Sequence, residues 1–250
     1  MIRSRIAEEL KLAQSPVAIL FSNERPAGAQ GFTEGKWGCV IALLNVAAKG
    51  RVAVLDARSG CGGGHIGMGF CDDYAHSPGG IEYFLSTGRG EGYPEGERYI
   101  KTPELARSFV DGMPRVTIPY EYIVLKPLEQ VAEDEKPESV VFLVAPDQLS
   151  ALVVLANYDR AMPDNVIIPF ASGCQSIGIL VYAEAKRPLP RAVVGGIDIS
   201  ARPFMKPDQL TFAVPYARYQ EMEGNVEGSF FGTKSWEKVR ERIPEPANEA

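Results

Sequence analysis

Nothing in this 250-residue chain matches a short cofactor or metal motif. It holds only four cysteines (Cys39, Cys61, Cys71 and Cys174) and two histidines, His65 and His76. No two cysteines form Cys-x-x-Cys, which excludes a zinc ribbon or ferredoxin-type ligand run local in sequence. Gly-x-x-x-x-Gly-Lys-Ser/Thr is absent, and the Gly-x-Gly-x-x-Gly dinucleotide fingerprint has only a loose counterpart. Without a Gly-x-Ser-x-Gly elbow, a Ser/His/Asp hydrolase of that type is disfavoured. No apolar run reaches the roughly 20 residues of a membrane span. No Lys/Arg run interleaves with aromatics, so nucleic acid is not expected as a partner. The net charge of −6 fits a solubility role.

The first ten residues are too charged for a signal-peptide core. The N-terminal stretch predicts an amphipathic helix with Ile2, Ile6, Leu10 and Ala13 on one face. A soluble, cytoplasmic protein is expected. In a reducing compartment its cysteines are expected to be free thiols, ligands or redox groups, not structural disulfides.

Glycine (25) and proline (19) are plentiful, which predicts many tight turns. Between them lie apolar runs. Residues 16–22 predict a strand, 37–49 an almost wholly apolar helix stopped by Gly50, and 51–56 a second strand. A helix is expected near 79–86. Val140–Val144 predicts a strand, and Pro146 opens a helix that runs through Asn157. Residues 165–170 predict another strand, and 210–231 a strand followed by a helix. The polar stretch 129–138 reads as a connector.

Three short matches recur in the same order. Ser59-Gly60-Cys61 and Ser172-Gly173-Cys174 each follow a predicted strand. Gly79-Gly80-Ile81-Glu82 and Gly195-Gly196-Ile197-Asp198 come next. Ile118-Pro119-Tyr120 and Val214-Pro215-Tyr216 complete the series. The fold class expected is therefore α/β, a mixed sheet with helices in one compact domain. Two pseudo-repeated strand–helix–strand halves, residues 16–128 and 139–231, would build it. An approximate twofold would then set strands 51–56 and 165–170, with Cys61 and Cys174, at like positions.

The densest site is residues 59–70, where six of twelve residues are glycine. A turn is expected there, with φ > 0 or a ligand close to the backbone. Gly60, Gly62, Gly63 and Gly64 are the candidate cofactor-binding residues. Free N–H groups at a helix start would suit an anion or a sulfur cluster and favour the Cys61 thiolate. A tight packing turn with an inert cysteine is the plainer alternative. Cys39 precedes an apolar helix that leads into the Cys61 strand, so Cys39, Cys61 and Cys174 are expected to converge on one pocket as metal ligands. Cys71 is the weakest candidate of the four. His65 could serve as ligand, acid or base, or be a loop residue, and His76 reads as turn chemistry. Asp198, Ser200 and Arg202 alternate as on a strand, with Arg202 either an anion site or half of an ion pair.

The chain resembles the uncharacterised ArCR family, domain of unknown function 169, found in bacteria and archaea, anaerobes among them. The resemblance rests on Cys39 before Val40-Ile41-Ala42-Leu43, and on Gly60-Cys61-Gly62-Gly63-Gly64 with Gly67-Met68-Gly69-Phe70. Lys126-Pro127, Ala145-Pro146-Asp147-Gln148-Leu149 with Ala151-Leu152, Gly173-Cys174, and Ser229-Phe230-Phe231 before Trp236 extend it over roughly residues 10–240. It implies no activity. It implies only that Cys39, Cys61 and Cys174 stand where family members tend to have cysteine, and that Cys71 and His65 lie outside that pattern.

Three functions remain open on these residues. One is an iron–sulfur cluster or other thiolate-bound metal in a redox role. A second is a metal-free enzyme with Cys61 as catalytic nucleophile and the glycine amides facing an oxyanion. The third is a binding protein for a small anionic ligand. A small-molecule ligand or a redox partner is implied, and self-association into a homo-oligomer is left open.

Overall fold

A computed structural model of the chain describes residues 2–36, 38–72, 74, 79–90 and 94–246. His76 lies outside the described residues. Strands β1 (Val17–Ser22), β2 (Ala53–Asp56), β3 (Tyr122–Pro127), β4 (Ser139–Val144), β5 (Val166–Ile167), β6 (Ala192–Gly195) and β7 (Leu210–Pro215) form one sheet, ordered β2-β3-β1-β4-β7-β6-β5. Neighbours pair antiparallel except β5 and β6. The fold is thus α/β, with one mixed sheet that draws strands from both halves of the chain.

The strands are mostly apolar because both faces are covered. Along β1, Val17 and Ile19 enter one core, and Ala18 and Leu20 the other. In β4, Val141 and Leu143 join the first, while Val140, Phe142 and Val144 join the second. The first face carries α2 (Val40–Ala48), α3 (Gly62–Met68), α7 (Gly173–Ile177) and α8 (Ile179–Ala185). Helix α2 buries Val40, Ile41, Leu43, Leu44, Ala47 and Ala48, and Gly50, at φ +89°, lets the chain turn back into β2. The second face carries α1 (Arg5–Glu9), α6 (Pro146–Asn157), α9 (Tyr216–Gly224) and α10 (Lys234–Arg240). Fully buried Phe142, Phe212 and Tyr219 anchor it, each contributing about 1.5–3 kcal/mol by leaving water. Helix α6 starts at Pro146, and the Gln148 side chain accepts from the Ala145 N–H at 2.9 Å and donates to the Leu10 carbonyl at 3.0 Å. Helices α4 (Ile81–Leu85) and α5 (Pro103–Asp111) contribute Ile81, Leu85, Phe109 and Val110 to a small third cluster. Among the described residues no helix is long and apolar enough to cross a membrane.

The sheet departs from the expected pseudo-repeat. β1–α2–β2 and β4–α6–β5 each return to a parallel strand. Their helices cover opposite faces, so the two crossovers have opposite hand, whereas such units are nearly always right-handed. A twofold axis normal to the sheet would put both helices on one face. β2 pairs with β3, whereas β5 lies outside β6 at the far edge, so they do not hold like slots. The tetrads also differ. Gly80 and its counterpart Gly196 both have positive φ, but Ile81 begins α4, whereas Gly195 ends β6 and Ile197 begins no helix or strand. Ile118-Pro119-Tyr120 precedes β3, while Val214 and Pro215 end β7 and Tyr216 begins α9.

Candidate functional site

Three of the four cysteines stand at the starts of helices on the first face. Cys39 is the N-cap of α2 and Cys61 the N-cap of α3. Cys174 is the second residue of α7, behind the N-cap Ser172. Each start has its own local cause. Gly60 turns the chain after β2 at φ +95°, and Cys61 is extended, so its sulfur accepts the Gly64 N–H at 3.2 Å. Ser172 and Gln175 form a reciprocal cap, in which the Ser172 hydroxyl accepts from the Gln175 N–H and the Gln175 side chain accepts from the Ser172 N–H.

Direct bonds tie the three starts together. The Cys61 N–H donates to the carbonyl of Gly38, the residue before Cys39, at 3.1 Å. The Cys174 thiol donates to the Gly63 carbonyl at 3.4 Å, with the Ser172 hydroxyl 3.1 Å from its sulfur. A β-carbon on Gly173 would come within 2.9 Å of Ile41 and 3.2 Å of Ala201, so α7 is wedged between α2 and the segment after β6.

That segment brings in Asp198, which is only 4% exposed. Its Oδ2 accepts from the Ser200 hydroxyl at 3.2 Å, and Oδ1 is buried with no hydrogen-bond partner. The Ser59 hydroxyl, on the Cys61 turn, is also buried without a partner. Burial pushes the Cys174 thiol up to about 12; the Ser172 hydroxyl opposes this, while Cys61, Asp198 and Cys39 reinforce it. Burial likewise raises Cys39, with the Ile41 and Ala42 N–H groups opposing and Cys61 and Asp198 adding to the rise. Asp198 is raised by burial against the pull of the Ser200 hydroxyl and of the Gly173, Asp198 and Ala201 N–H groups. Cys39 and Cys174 therefore both feel Cys61 and Asp198. As they stand, no three His, Cys, Asp or Glu side chains among the described residues are close enough to hold a metal ion.

Other expected site residues are placed differently. Gly62, Gly63 and Gly64 form the first turn of α3, not a left-handed turn. A β-carbon on Gly62 or Gly63 would meet nothing within 4 Å, whereas one on Gly64 would meet Val40 at 2.9 Å. Arg202 begins a short 3-10 turn, Arg202–Phe204, and not a strand. Its guanidinium donates to the carbonyls of Gly196, Gln209, Lys206 and Pro207, so it clamps a loop and is not free for an anion. His65 Nε2 is 2.6 Å from the Ser59 carbonyl, bracing α3 against its own turn. Cys71 packs with Ile66, Tyr74 and Val110 in the third cluster. Asp198 is the member that the alternation pattern concealed; the signal available was its place as the acid of the second Gly-Gly-Ile-acid tetrad.

A model of the family described as uncharacterised ArCR, domain of unknown function 169, matches residues 5–225. Neither a curated protein nor a solved structure matches the chain.

Proposed function

This chain belongs to the uncharacterised ArCR family, whose description carries no activity, and we propose that Cys39, Cys61 and Cys174 bind an iron–sulfur cluster or another thiolate-held metal in a redox role. The observation that carries this reading is the link between sequence-distant cysteines: Cys61 N–H to Gly38 and Cys174 Sγ to Gly63. The donor chemistry fits. Thiolates are the ligands that soft metals and iron–sulfur clusters select. Burial holds Cys174 and Cys39 as protonated thiols, which disfavours either as a metal-free nucleophile. A bound cation replaces those protons and relieves the cost of burying charge. Closing the ligand set requires side-chain rotation. Cys61 Sγ would leave the Gly64 N–H, and Cys174 Sγ would leave the Gly63 carbonyl.

When bound, the centre would supply electron exchange, with its remaining position open to solvent, substrate or a non-cysteine group. Gly62 and Gly63 have no protein atoms where side chains would be, which leaves room beside Cys61 for a small ligand or a redox partner. The reading places the protein in the cytoplasm, where thiols stay reduced.

Visible absorption of anaerobically purified protein, with iron and zinc analysis, tests it. A thiolate-to-metal band and bound metal are expected, and both should be lost in Cys39→Ser, Cys61→Ser and Cys174→Ser. Folded protein that stays metal-free after anaerobic reconstitution with iron and sulfide, and with zinc, would sink the reading. The Cys61 nucleophile would then take its place.

A further inference from the structure

The loop between α4 and α5 has two arms, residues 86–90 and 94–101, bonded to the end of α4. The Gly88 N–H donates to the Tyr83 carbonyl at 2.7 Å. The N–H groups of Glu97, Arg98 and Ile100 donate to the carbonyls of Phe84, Ser86 and Leu85 at 2.7, 3.2 and 3.0 Å. The arms touch where no side chain fits. A β-carbon on Gly88 would stand 1.8 Å from the Gly96 nitrogen, and one on Gly96 2.2 Å from the Ser86 carbonyl oxygen. Arg98 holds a left-handed φ of +55°, a conformation that disfavours any residue with a β-carbon. Both arms line an open cavity of about 440 Å³, and Arg89, Arg98 and Lys101 stand on its wall. Three of its eight lining residues are thus cationic, in a chain where 26 of 250 are and the net charge is −6. Glu95 is the one carboxylate among the eight. The three cations are exposed. None has an ion-pair partner among the described residues, whereas Arg107 on α5 pairs with Glu82 on α4. The loop therefore gathers like charges around one cavity, at a strained residue, with no neutralising contact inside the fold.

We propose that this cavity binds a small phosphate-bearing molecule, with Arg89, Arg98 and Lys101 on the phosphate. The site is independent of the cysteine centre. Three cations against Glu95 leave two positive charges, which match the charge of a phosphate monoester near neutral pH. Guanidinium forks grip phosphate oxygens in pairs, and a lysine adds a point charge. The cavity falls within the roughly 300–1,000 Å³ of small-molecule sites. It is larger than a bare phosphate fills, so the rest of the ligand is an organic body, meeting Thr87 on one side and Pro94 and Ile100 on the other. The Gly88–Gly96 contact fixes the arms in advance, which lowers the ordering cost of binding. Tyr99, between Arg98 and Ile100, accepts the Ser200 N–H at 2.9 Å, so the turn after β6 braces the arm that carries two of the three cations.

Ribose 5-phosphate, inorganic phosphate and succinate serve as probes, titrated by calorimetry into the full chain at about 0.15 M salt. Ribose 5-phosphate should bind, inorganic phosphate more weakly, and succinate least. Arg89→Gln and Lys101→Gln should each weaken ribose 5-phosphate about tenfold. Glu95→Gln should tighten it about threefold, because the one opposing charge is gone. Arg98→Gly removes a cation and the strained φ together. It should melt at least as high as wild type while binding about tenfold more weakly, a split that a purely structural arginine would not give. No saturable binding of either phosphate tighter than about 1 mM would overturn the site. So would wild-type affinity in Arg98→Gly and in Lys101→Gln. Succinate that binds as tightly as ribose 5-phosphate would overturn the phosphate assignment.

Discussion

A β-carbon on Gly67 would stand 2.6 Å from the sulfur of Cys174. The helices that follow the two Ser-Gly-Cys turns, α3 and α7, therefore touch where only glycine fits. The Gln175 backbone nitrogen, 3.0 Å away, gives no room to yield. Gly67→Ala should gain about 1 kcal/mol of helix propensity and lose roughly 1–3 kcal/mol to overpacking. Net destabilisation in urea melts is expected, together with faster thiol modification of Cys174. An alanine variant of unchanged stability, with Cys174 still shielded, would contradict the contact.

Gly63 should behave in the opposite way. It is helical and has no neighbour within 4 Å of a β-carbon. Gly63→Ala should stabilise the metal-free protein by about 0.5–1 kcal/mol, since it removes chain entropy from the unfolded state at no steric cost. A lower melting temperature would mean that something other than protein atoms rests on that turn.

Cys174 should resist alkylation in the native, metal-free protein. Its thiol is pushed from 9.0 up to about 12, so at pH 8 its thiolate is about a thousandfold scarcer than that of an ordinary cysteine. The sign for stability follows. The folded state keeps a proton that the unfolded state sheds above pH 9, so this contribution is full below pH 9 and is lost as pH rises toward 12. Iodoacetamide labelling with peptide mapping, native against guanidinium-unfolded, tests the first point. Rapid native labelling of Cys174 would refute it.

The second face has an acid-labile clamp. Arg218, with a side chain 1% exposed, donates to Asp159 Oδ2 at 2.9 Å, to the Ala156 carbonyl at 3.0 Å and to Glu221. The guanidinium holds Asp159 well below its ordinary value of 3.8. The stability this group contributes is present above about pH 4 and is lost as pH falls below it. Asp159→Ala leaves the buried guanidinium with Glu221 and the Ala156 carbonyl and should cost about 3 kcal/mol at neutral pH. That difference should shrink in melts at pH 3. A pH-independent difference would assign the loss to packing.

Strands 17–22, 53–56 and 139–144, and helices 40–48 and 146–157, were legible because their apolar runs and flanking Gly or Pro agree with their burial. Residues 165–170 were over-read as a strand. Only Val166 and Ile167 pair, and Ile168 and Phe170 are exposed, so the apolar run marks surface as well as core. The glycine density after Cys61 predicts a turn with φ > 0, yet Gly62–Met68 is a helix. Packing of Gly64 under Val40 and Gly67 against Cys174 overrides that propensity. Cys39, Cys61 and Cys174 could be named from their positions at strand and helix boundaries. The unpaired oxygen of Asp198 could not, because it exists only once the turn after β6 closes over α7. The apparent repeat failed for a similar reason, since tri- and tetrapeptides carry no information about which face a crossover helix will cover.

The sheet also works as a partition. Every side chain of the cysteine site belongs to elements on one of its faces, and the Arg218–Asp159 clamp belongs to the other. Seven strands with fully buried Val17, Ile19, Val141 and Phe142 among them stand between the two layers. Acid should therefore melt one layer ahead of the other. Amides of α6 and α9 should lose hydrogen-exchange protection at a pH where those of α2 and α3 still hold theirs. The sulfurs would then outlast part of the protein that surrounds them.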